Sequence, residues 1–177
     1  MDYFIYFFVR LKVVIFVNLP YDLFSLDLGE TQFVLQFLNF HEQDDYSIQV
    51  GGLSGDFGIF YKDKAFSCRF RCDITVGNLY DFYIALDNAW DILGCREGSS
   101  AVLSDYSHFL KRSRLSVTFD KKGHCSIEGS FKSKESAYQS GIFFSFQADQ
   151  TYISENLNSL DYFLHELAEM QGHRNFY

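Results

Sequence analysis

A two-residue alternation of apolar and polar side chains runs through AFSCRFRCDIT, residues 65–75. Because successive side chains of a strand point to opposite faces, this pattern predicts a strand with one face in the core and the other in water. Weaker alternations around 33–37, 46–50 and 57–59 predict further strands, so four strands are expected before residue 75. The apolar positions of the strongest segment are Phe66, Cys68, Phe70, Cys72 and Ile74.

The period of the apolar residues changes after Asn78. They then recur at intervals of three and four positions, which predicts an amphipathic helix of about four turns. Asn78 is the predicted N-cap and Gly94 the predicted C-terminal stop. The apolar stripe consists of Leu79, Phe82, Tyr83, Leu86, Ala89, Trp90 and Leu93.

The second half of the chain repeats this order. Strands are predicted at 115–119, 125–131 and 141–148, with a weaker candidate at 101–103. A second helix follows, capped by Asp149 or Thr151. The chain therefore predicts an α+β fold of two antiparallel β-meanders, each followed by an amphipathic helix. The stripe of the second helix is Ile153, Leu157, Leu160, Phe163, Leu164 and Leu167.

The amino-terminal run MDYFIYFFVRLKVVIFVNLP is apolar, but Arg10 and Lys12 interrupt it and no small-residue cleavage site follows. Each charge at a bilayer centre costs about 2.5–3.5 kcal/mol, so the run predicts neither a membrane span nor a secretory signal. Residues 1–28 are assigned to an apolar amino-terminal extension or strand. Residues 29–177 are assigned to a single α+β domain, which we expect in the cytoplasm.

Cysteine and histidine spacing indicates neither a catalytic site nor a metal site. His124 and Cys125 are adjacent on a predicted strand and would point to opposite faces. The histidines form none of the usual zinc-binding spacings. We expect reduced thiols, no enzyme activity, no cofactor and no metal, with Asp81, Asp87 and Asp91 as solvating groups on the first helix. The four cysteines, which form no CxxC pair, are Cys68, Cys72, Cys95 and Cys125.

Charge is unevenly distributed along the chain, whose net charge is −8. Residues 21–61 contain seven acidic residues and no lysine or arginine, whereas residues 62–72 contain four basic residues and one acidic residue. The acidic balance disfavours nucleic acid and anionic membranes as partners and favours a basic protein. Ordinary acidic solubilisation is the open alternative.

The segment GHCSIEGSFKSKESAYQSGIFFSFQADQTYISENLNSLDYFLHEL, with FSFQADQTYI where the last strand meets the last helix, resembles the WapI-like family of bacterial immunity proteins. FSCRFRCDITVGNLYDFYIALDNAW looks like the corresponding earlier stretch, so the likeness spans about residues 65–167. The resemblance implies a non-enzymatic protein that neutralises the carboxy-terminal domain of a secreted or contact-delivered toxin, typically a nuclease.

A nuclease cleft must attract phosphate and is therefore expected to be basic, so an acidic inhibitor can occupy it as a polyanion mimic. The candidate partner-binding residues are Glu42, Asp44 and Asp45 in the loop FHEQDDY. Asp27 and Glu30 are weaker candidates.

The order of strands and helices is also similar to the Whirly-type fold, which binds single-stranded nucleic acid. The basic DKKG hairpin at 120–123 lies among aromatic residues and fits that alternative. Similarity of architecture alone is a weak guide to function, and the acidic balance would repel backbone phosphates. We therefore rank nucleic-acid binding second.

Overall fold

In the part of the chain that the structure describes, four strands and a helix are followed by four more strands and a second helix, which confirms the predicted α+β order. The computed structural model describes residues 18–40, 55–72, 74–91, 99–105, 113–120, 122, 124–132 and 140–170. In chain order the elements are β1 (Tyr21–Asp27), β2 (Gln32–Phe40), β3 (Gly55–Lys62), β4 (Ser67–Cys72), α1 (Val76–Asp91), β5 (Ser100–Ser104), β6 (Ser113–Phe119), β7 (Cys125–Lys132), β8 (Gly141–Ala148) and α2 (Gln150–Met170).

The strands of the described residues form two antiparallel sheets, each in sequential order: β1-β2-β3-β4 and β5-β6-β7-β8. Every neighbouring pair in space is therefore also a neighbouring pair in sequence, as expected for meanders. Predicted strands at 101–103, 115–119, 125–131 and 141–148 all lie within strands of the second sheet.

Strand β1 was not predicted from the alternation of apolar and polar residues in the sequence. A register shift between Asp22 and Phe24 in its pairing with β2 places Leu23 and Phe24 both in the core. A bulge of this kind breaks the two-residue alternation, so the pattern is lost in the sequence. The range 1–28 thus contains a paired strand of the first sheet. The strand predicted around 46–50 lies outside the described residues.

Strand β4 begins one residue later than the alternation predicted. The side chain of Asp63 accepts hydrogen bonds from the backbone amides of Ala65 and Phe66 at 2.7 and 2.9 Å, which holds these residues in a turn. Phe66, expected in the core, is consequently 51% exposed, with its ring centroid 5.4 Å from that of Tyr61. From Ser67 onward the alternation is confirmed, with arginines exposed and Cys72 buried.

Aromatic rings from both sheets fill the space between them. Phe33 of β2 lies 5.8 Å from Phe131 of β7 and 4.6 Å from Phe144 of β8, centroid to centroid. Phe82 of α1 and Phe163 of α2 enter the same core, 6.1 Å from Phe24 and 5.0 Å from Phe37. Pairs at such distances stabilise the core by about 0.5–1.5 kcal/mol each beyond their buried area. The sheets and helices therefore share one core.

The two helix starts are capped by neighbouring side chains. Thr75, rather than the predicted Asn78, caps α1: its hydroxyl accepts from the Asn78 amide at 3.1 Å, and Asn78 Oδ1 accepts from the Thr75 amide at 2.9 Å. This reciprocal pair is a capping box with asparagine in the usual glutamate position. Asp149 caps α2 as predicted, accepting from the Thr151 amide at 2.9 Å.

The predicted stripes of both helices face the core. In α2 all six predicted residues are buried, and in α1 the buried members are Leu79, Phe82, Leu86 and Ala89. Tyr83 and Trp90 are half-buried against the core, and Leu93 and the predicted stop at Gly94 lie outside the described residues. No helix among the described residues is long and apolar enough to span a membrane.

Helix α2 covers the outer edge of β1, where unpaired backbone groups would otherwise be open. Asn156 is 3% exposed; its amide nitrogen donates to Ser25 O at 2.9 Å, and its Oδ1 accepts from Ser25 N at 2.6 Å. Ser159 Oγ donates to Asp22 O at 2.6 Å. These side chains replace the missing neighbouring strand and so protect the edge from pairing with another chain.

Candidate functional site

The cysteine and histidine pair at the start of β7 has no nucleophilic geometry. Cys125 is fully buried, donates to Ala148 O at 3.3 Å, and has its pKa raised to about 11 by burial. His124 is exposed, and its Nδ1 lies 3.1 Å from Asp120 Oδ2. At neutral pH the thiol stays protonated, so the sulfur is a packing group in this part of the chain.

An open cleft of about 360 Å³ lies beside this pair. It is lined by Asp120, His124, Gln147, Ala148 and Asp149, and the Asp149 carboxylate is already engaged as the α2 cap. Within the described ranges, no three histidine, cysteine or acidic side chains are grouped so that they could hold a metal ion.

Two of the five predicted partner-binding residues, Asp27 and Glu30, lie together at the turn between β1 and β2. Asp27 Oδ1 accepts from the Gly29 amide at 2.9 Å and its Oδ2 accepts from Gln32 Nε2 at 3.1 Å. Gly29 has a φ of 79°, a left-handed conformation that suits glycine at a tight turn. Glu30 forms an ion pair with Lys64. Both carboxylates therefore have local partners.

The other three predicted residues, Glu42, Asp44 and Asp45, lie outside the described residues. Their segment is flanked by Phe40 and Gly55, which pair at the end of the sheet opposite the β1–β2 turn. Strand β2, about 30 Å long at 3.3 Å per residue, separates that turn from the start of the segment.

The remaining described acids of the segment 21–61 also have partners. Asp22 Oδ1 accepts from Gln36 Nε2 at 2.6 Å, and Asp56 lies 3.4 Å from Arg71 of β4. Folding thus brings the basic residues of 62–72 beside the acidic segment, because β3 and β4 pair in the same sheet. The charge separation seen along the sequence is partly neutralised in space.

The two helices form a second acidic surface, and three of its acids, Asp81, Asp87 and Asp91, were expected only to solvate the first helix. Together α1 and α2 contain seven acidic residues and no lysine or arginine. They are Asp81, Asp87, Asp91, Glu155, Asp161, Glu166 and Glu169. The absence of lysine and arginine from both predicted helices was the available sequence signal, but the packing of the helices against each other was not visible.

Contacts between the helices bring three of these carboxylates together, those of Asp87, Asp91 and Asp161. Tyr83 of α1 donates to Asp161 Oδ1 of α2 at 2.9 Å. Burial, followed by the charges of Asp91 and Asp161, raises the pKa of Asp87. Acids that disfavour one another's ionised form create a concentrated negative potential, which attracts a basic surface.

Two large apolar side chains stand among these acids. Tyr162 of α2 is 46% exposed and Ile84 of α1 is 39% exposed. Ile84 shares a face of α1 with Asp87 and Asp91, since residues three and seven positions apart lie on one side of a helix. Protein interfaces combine such apolar anchors with a polar rim. This set of helix residues, the acidic helix pair, is the candidate functional site.

A comparison with protein-family models decides the identity of the chain. Residues 24–168 match the model of the immunity protein WapI-like family. The chain belongs to this family of immunity proteins. The match begins within β1 and ends within α2, so both sheets and both helices are part of the family domain, and the resemblance predicted from the sequence is confirmed.

Two solved plant structures have similar chains. One is described as the plant transcriptional regulator PBF-2, with 10% identity, a TM-score of 0.43 and coverage of 91% of this chain and 97% of that chain. The other is WHY1 from Arabidopsis thaliana, with 10% identity, a TM-score of 0.43 and coverage of 90% and 96%. A likeness this low assigns no function. No curated protein matches the sequence.

Proposed function

We propose that this WapI-like immunity protein binds a cognate toxin domain in the cytoplasm and blocks it without catalysing a reaction. The toxin domain is a nuclease with a basic cleft. The observation that supports this proposal is the acidic helix pair, in which two packed helices contain seven carboxylates and no lysine or arginine. Family membership supplies the class of partner.

The chemistry of the partner follows from its substrate. A nuclease must bind a polyanion, so its cleft concentrates lysine and arginine, and negative charge at the helix pair steers association with it. Tyr162 and Ile84 supply apolar area that can be desolvated at the centre of the contact. Glu42, Asp44 and Asp45 are the second proposed contact, and Asp27 and Glu30 contribute less because they pair within the first sheet.

The direct experiment uses the carboxy-terminal domain of a candidate toxin. Co-expression of the immunity protein should restore growth of cells that produce that domain, and the purified immunity protein should stop its cleavage of RNA or DNA. Growth inhibition that persists despite stable expression of both proteins would contradict the proposal.

Binding of single-stranded oligonucleotides separates this function from the nucleic-acid alternative. We expect the purified protein to bind them weakly or not at all at physiological salt, because its acidic surfaces repel phosphate. Micromolar or tighter oligonucleotide binding would make nucleic-acid binding the favoured function of the protein.

A further inference from the structure

The outer face of the first sheet, on the side away from the core, has an ordered charge gradient. At one edge, β1 presents the exposed Asp22 and Asp27; at the other, β4 presents the exposed Arg69 and Arg71. Between these edges, β2 and β3 present an apolar centre of half-buried Val34, Leu38 and Phe60. The polar side chains of the same two strands on this face are Gln32, Gln36, Asp56 and Lys62. We name this set of residues the gradient face.

The apolar centre is shaped by one glycine. A Cβ atom on Gly58 would lie 3.0 Å from Leu38 Cδ1, so the absence of a side chain lets Leu38 lie over β3. Next to it, the guanidinium of Arg69 lies 4.7 Å from the ring centroid of Phe60. The centre of the gradient face is therefore packed by its own side chains and is closed by a charged rim, as in protein interfaces.

The strand register places these residues in rows across the sheet. One row runs from Asp22 through Gln36 and Gly58 to Arg71. The next row runs from Ser25 through Val34 and Phe60 to Arg69. Each row starts at the acidic edge strand and ends at the basic one.

We propose that the gradient face binds a second copy of this chain through a twofold axis that runs along the strands between β2 and β3. Rotation about that axis places β1 of one copy opposite β4 of the other, and β2 opposite β3. Positions along the strand direction do not change, so each row faces the same row of the other copy. Asp22 of one copy then faces Arg71 of the other, and Val34 faces Phe60. The face is complementary to itself in this arrangement, and the two copies pack as aligned sheets.

Arg71 can serve both contacts. It lies 3.4 Å from Asp56 of its own chain, and half of its side chain is exposed. A guanidinium has five N–H donors, so it can hold Asp56 and still donate to a carboxylate of the second copy. The arrangement thus adds ion pairs without breaking the one already present.

The small area of the gradient face limits the expected affinity of the dimer. Four strands about 4.8 Å apart and about 20 Å long give roughly 400 Å² of projected area, about half of a standard interface. A face of this size lies at the low end for specific association, so a weak, reversible dimer is expected and is tested in the micromolar range. This association goes beyond the proposed function, because it is measured on the protein alone without any toxin.

The decisive experiment is a charge swap followed by sedimentation equilibrium across the micromolar range. Asp22→Arg makes both ends of the Asp22–Arg71 row basic and Arg71→Asp makes both ends acidic, so each variant alone should dimerise at least about tenfold more weakly. Mixed in equal amounts, the two should form a heterodimer of near wild-type strength, because both facing pairs at the ends of this row are again opposite in charge.

Matched controls lie on the outer face of the second sheet. Arg114→Asp and Glu128→Arg make the same charge changes at exposed positions of β6 and β7 and should leave dimerisation unchanged. Val34→Glu keeps all ion pairs and should weaken the dimer by placing a carboxylate against Phe60. Circular dichroism and thermal unfolding verify that each variant is folded.

Three outcomes would overturn the proposal. The wild-type protein could be monomeric throughout the micromolar range. Folded Asp22→Arg and Arg71→Asp variants could fail to associate with each other when mixed. The control reversals could weaken dimerisation as much as the edge reversals, which would make total charge the cause.

Discussion

Two acidic regions of this protein differ in the partners of their carboxylates. At the β1–β2 turn, Asp27 and Glu30 are hydrogen-bonded or ion-paired to residues of the same sheet. On the helix pair, burial and then the charges of Asp91 and Asp161 raise the pKa of Asp87. The first region is partly neutralised, because Lys64 pairs with Glu30, whereas the second accumulates negative charge.

This difference shows that a count of charges along the chain does not measure the potential at the surface. The segment 21–61 holds seven acids without a basic residue, yet β3 and β4 bring Lys64 and Arg71 to it. The helices are far apart in sequence, yet Tyr83 and Asp161 are in contact. Potential depends on distances in space, which chain order does not give.

Reversing the charges of the acids on helix α1 should have the largest expected effect, which is on the rate of association with the toxin domain. Asp81, Asp87 and Asp91 changed together to lysine should slow association with the toxin domain by about 10–10³-fold, the range attributed to electrostatic steering. Stopped-flow association rates measure this, and added salt should reduce the difference between variant and wild type.

The matched comparison is the same triple reversal at Glu42, Asp44 and Asp45. A smaller loss of association rate there would support the helix pair as the contact. Equal losses would show that only total charge matters, and a larger loss would move the contact to the loop.

The hydrogen bonds that join helix α2 to strand β1 should contribute strongly to the stability of the fold. Asn156→Leu would leave the backbone groups of Ser25 unpaired beside a buried position and should destabilise the protein by about 3 kcal/mol. Thermal unfolding should show a midpoint lower by about 10 °C. Asn158→Leu, at an exposed position of the same helix, should change the midpoint little; a similar loss in both variants would contradict the edge-capping role.

Removing the Asp27 carboxylate should affect stability more than binding. Asp27→Ala deletes the acceptor for Gly29 and Gln32, which should cost about 1 kcal/mol in urea unfolding. The association rate with the toxin should stay close to that of the wild type. A strong loss of rate without a loss of stability would make the turn part of the interface.

Neutralising Asp87 should have the smallest effect on stability, and it should stabilise the protein rather than destabilise it. Because the folded state raises the pKa of this acid, ionisation at neutral pH opposes folding, and Asp87→Asn should raise the melting temperature slightly at pH 7. As the pH falls through the raised pKa toward the ordinary value of about 3.9, the wild type regains this stability.

The difference in melting temperature between Asp87→Asn and the wild type should therefore become smaller at acidic pH. Glu169→Gln, at an exposed position of α2, is the control for loss of one charge. A lower melting temperature of Asp87→Asn at pH 7 would show that Asp87 stabilises the fold instead.

Periodicity predicted most of the elements, and its failures have structural causes. The alternation of β4 and the three-and-four spacing of both helices arise from burial on one face, so they are visible in the sequence. Strand β1 was missed because the bulge at Leu23 breaks its alternation. The start of α1 was placed at Asn78 because the sequence does not show that Thr75 and Asn78 cap each other.

The sequence by itself determined the α+β order, the apolar faces and the resemblance to the WapI-like family, since each depends on residues close together in the chain. Tertiary structure alone decided which acids are neutralised and which accumulate, that Asn156 covers the edge of β1, and that Asp22 and Arg71 share a row. The physical reason is that hydrogen bonds, ion pairs and pKa values depend on approach within a few ångströms, and only the folded chain brings such distant residues together.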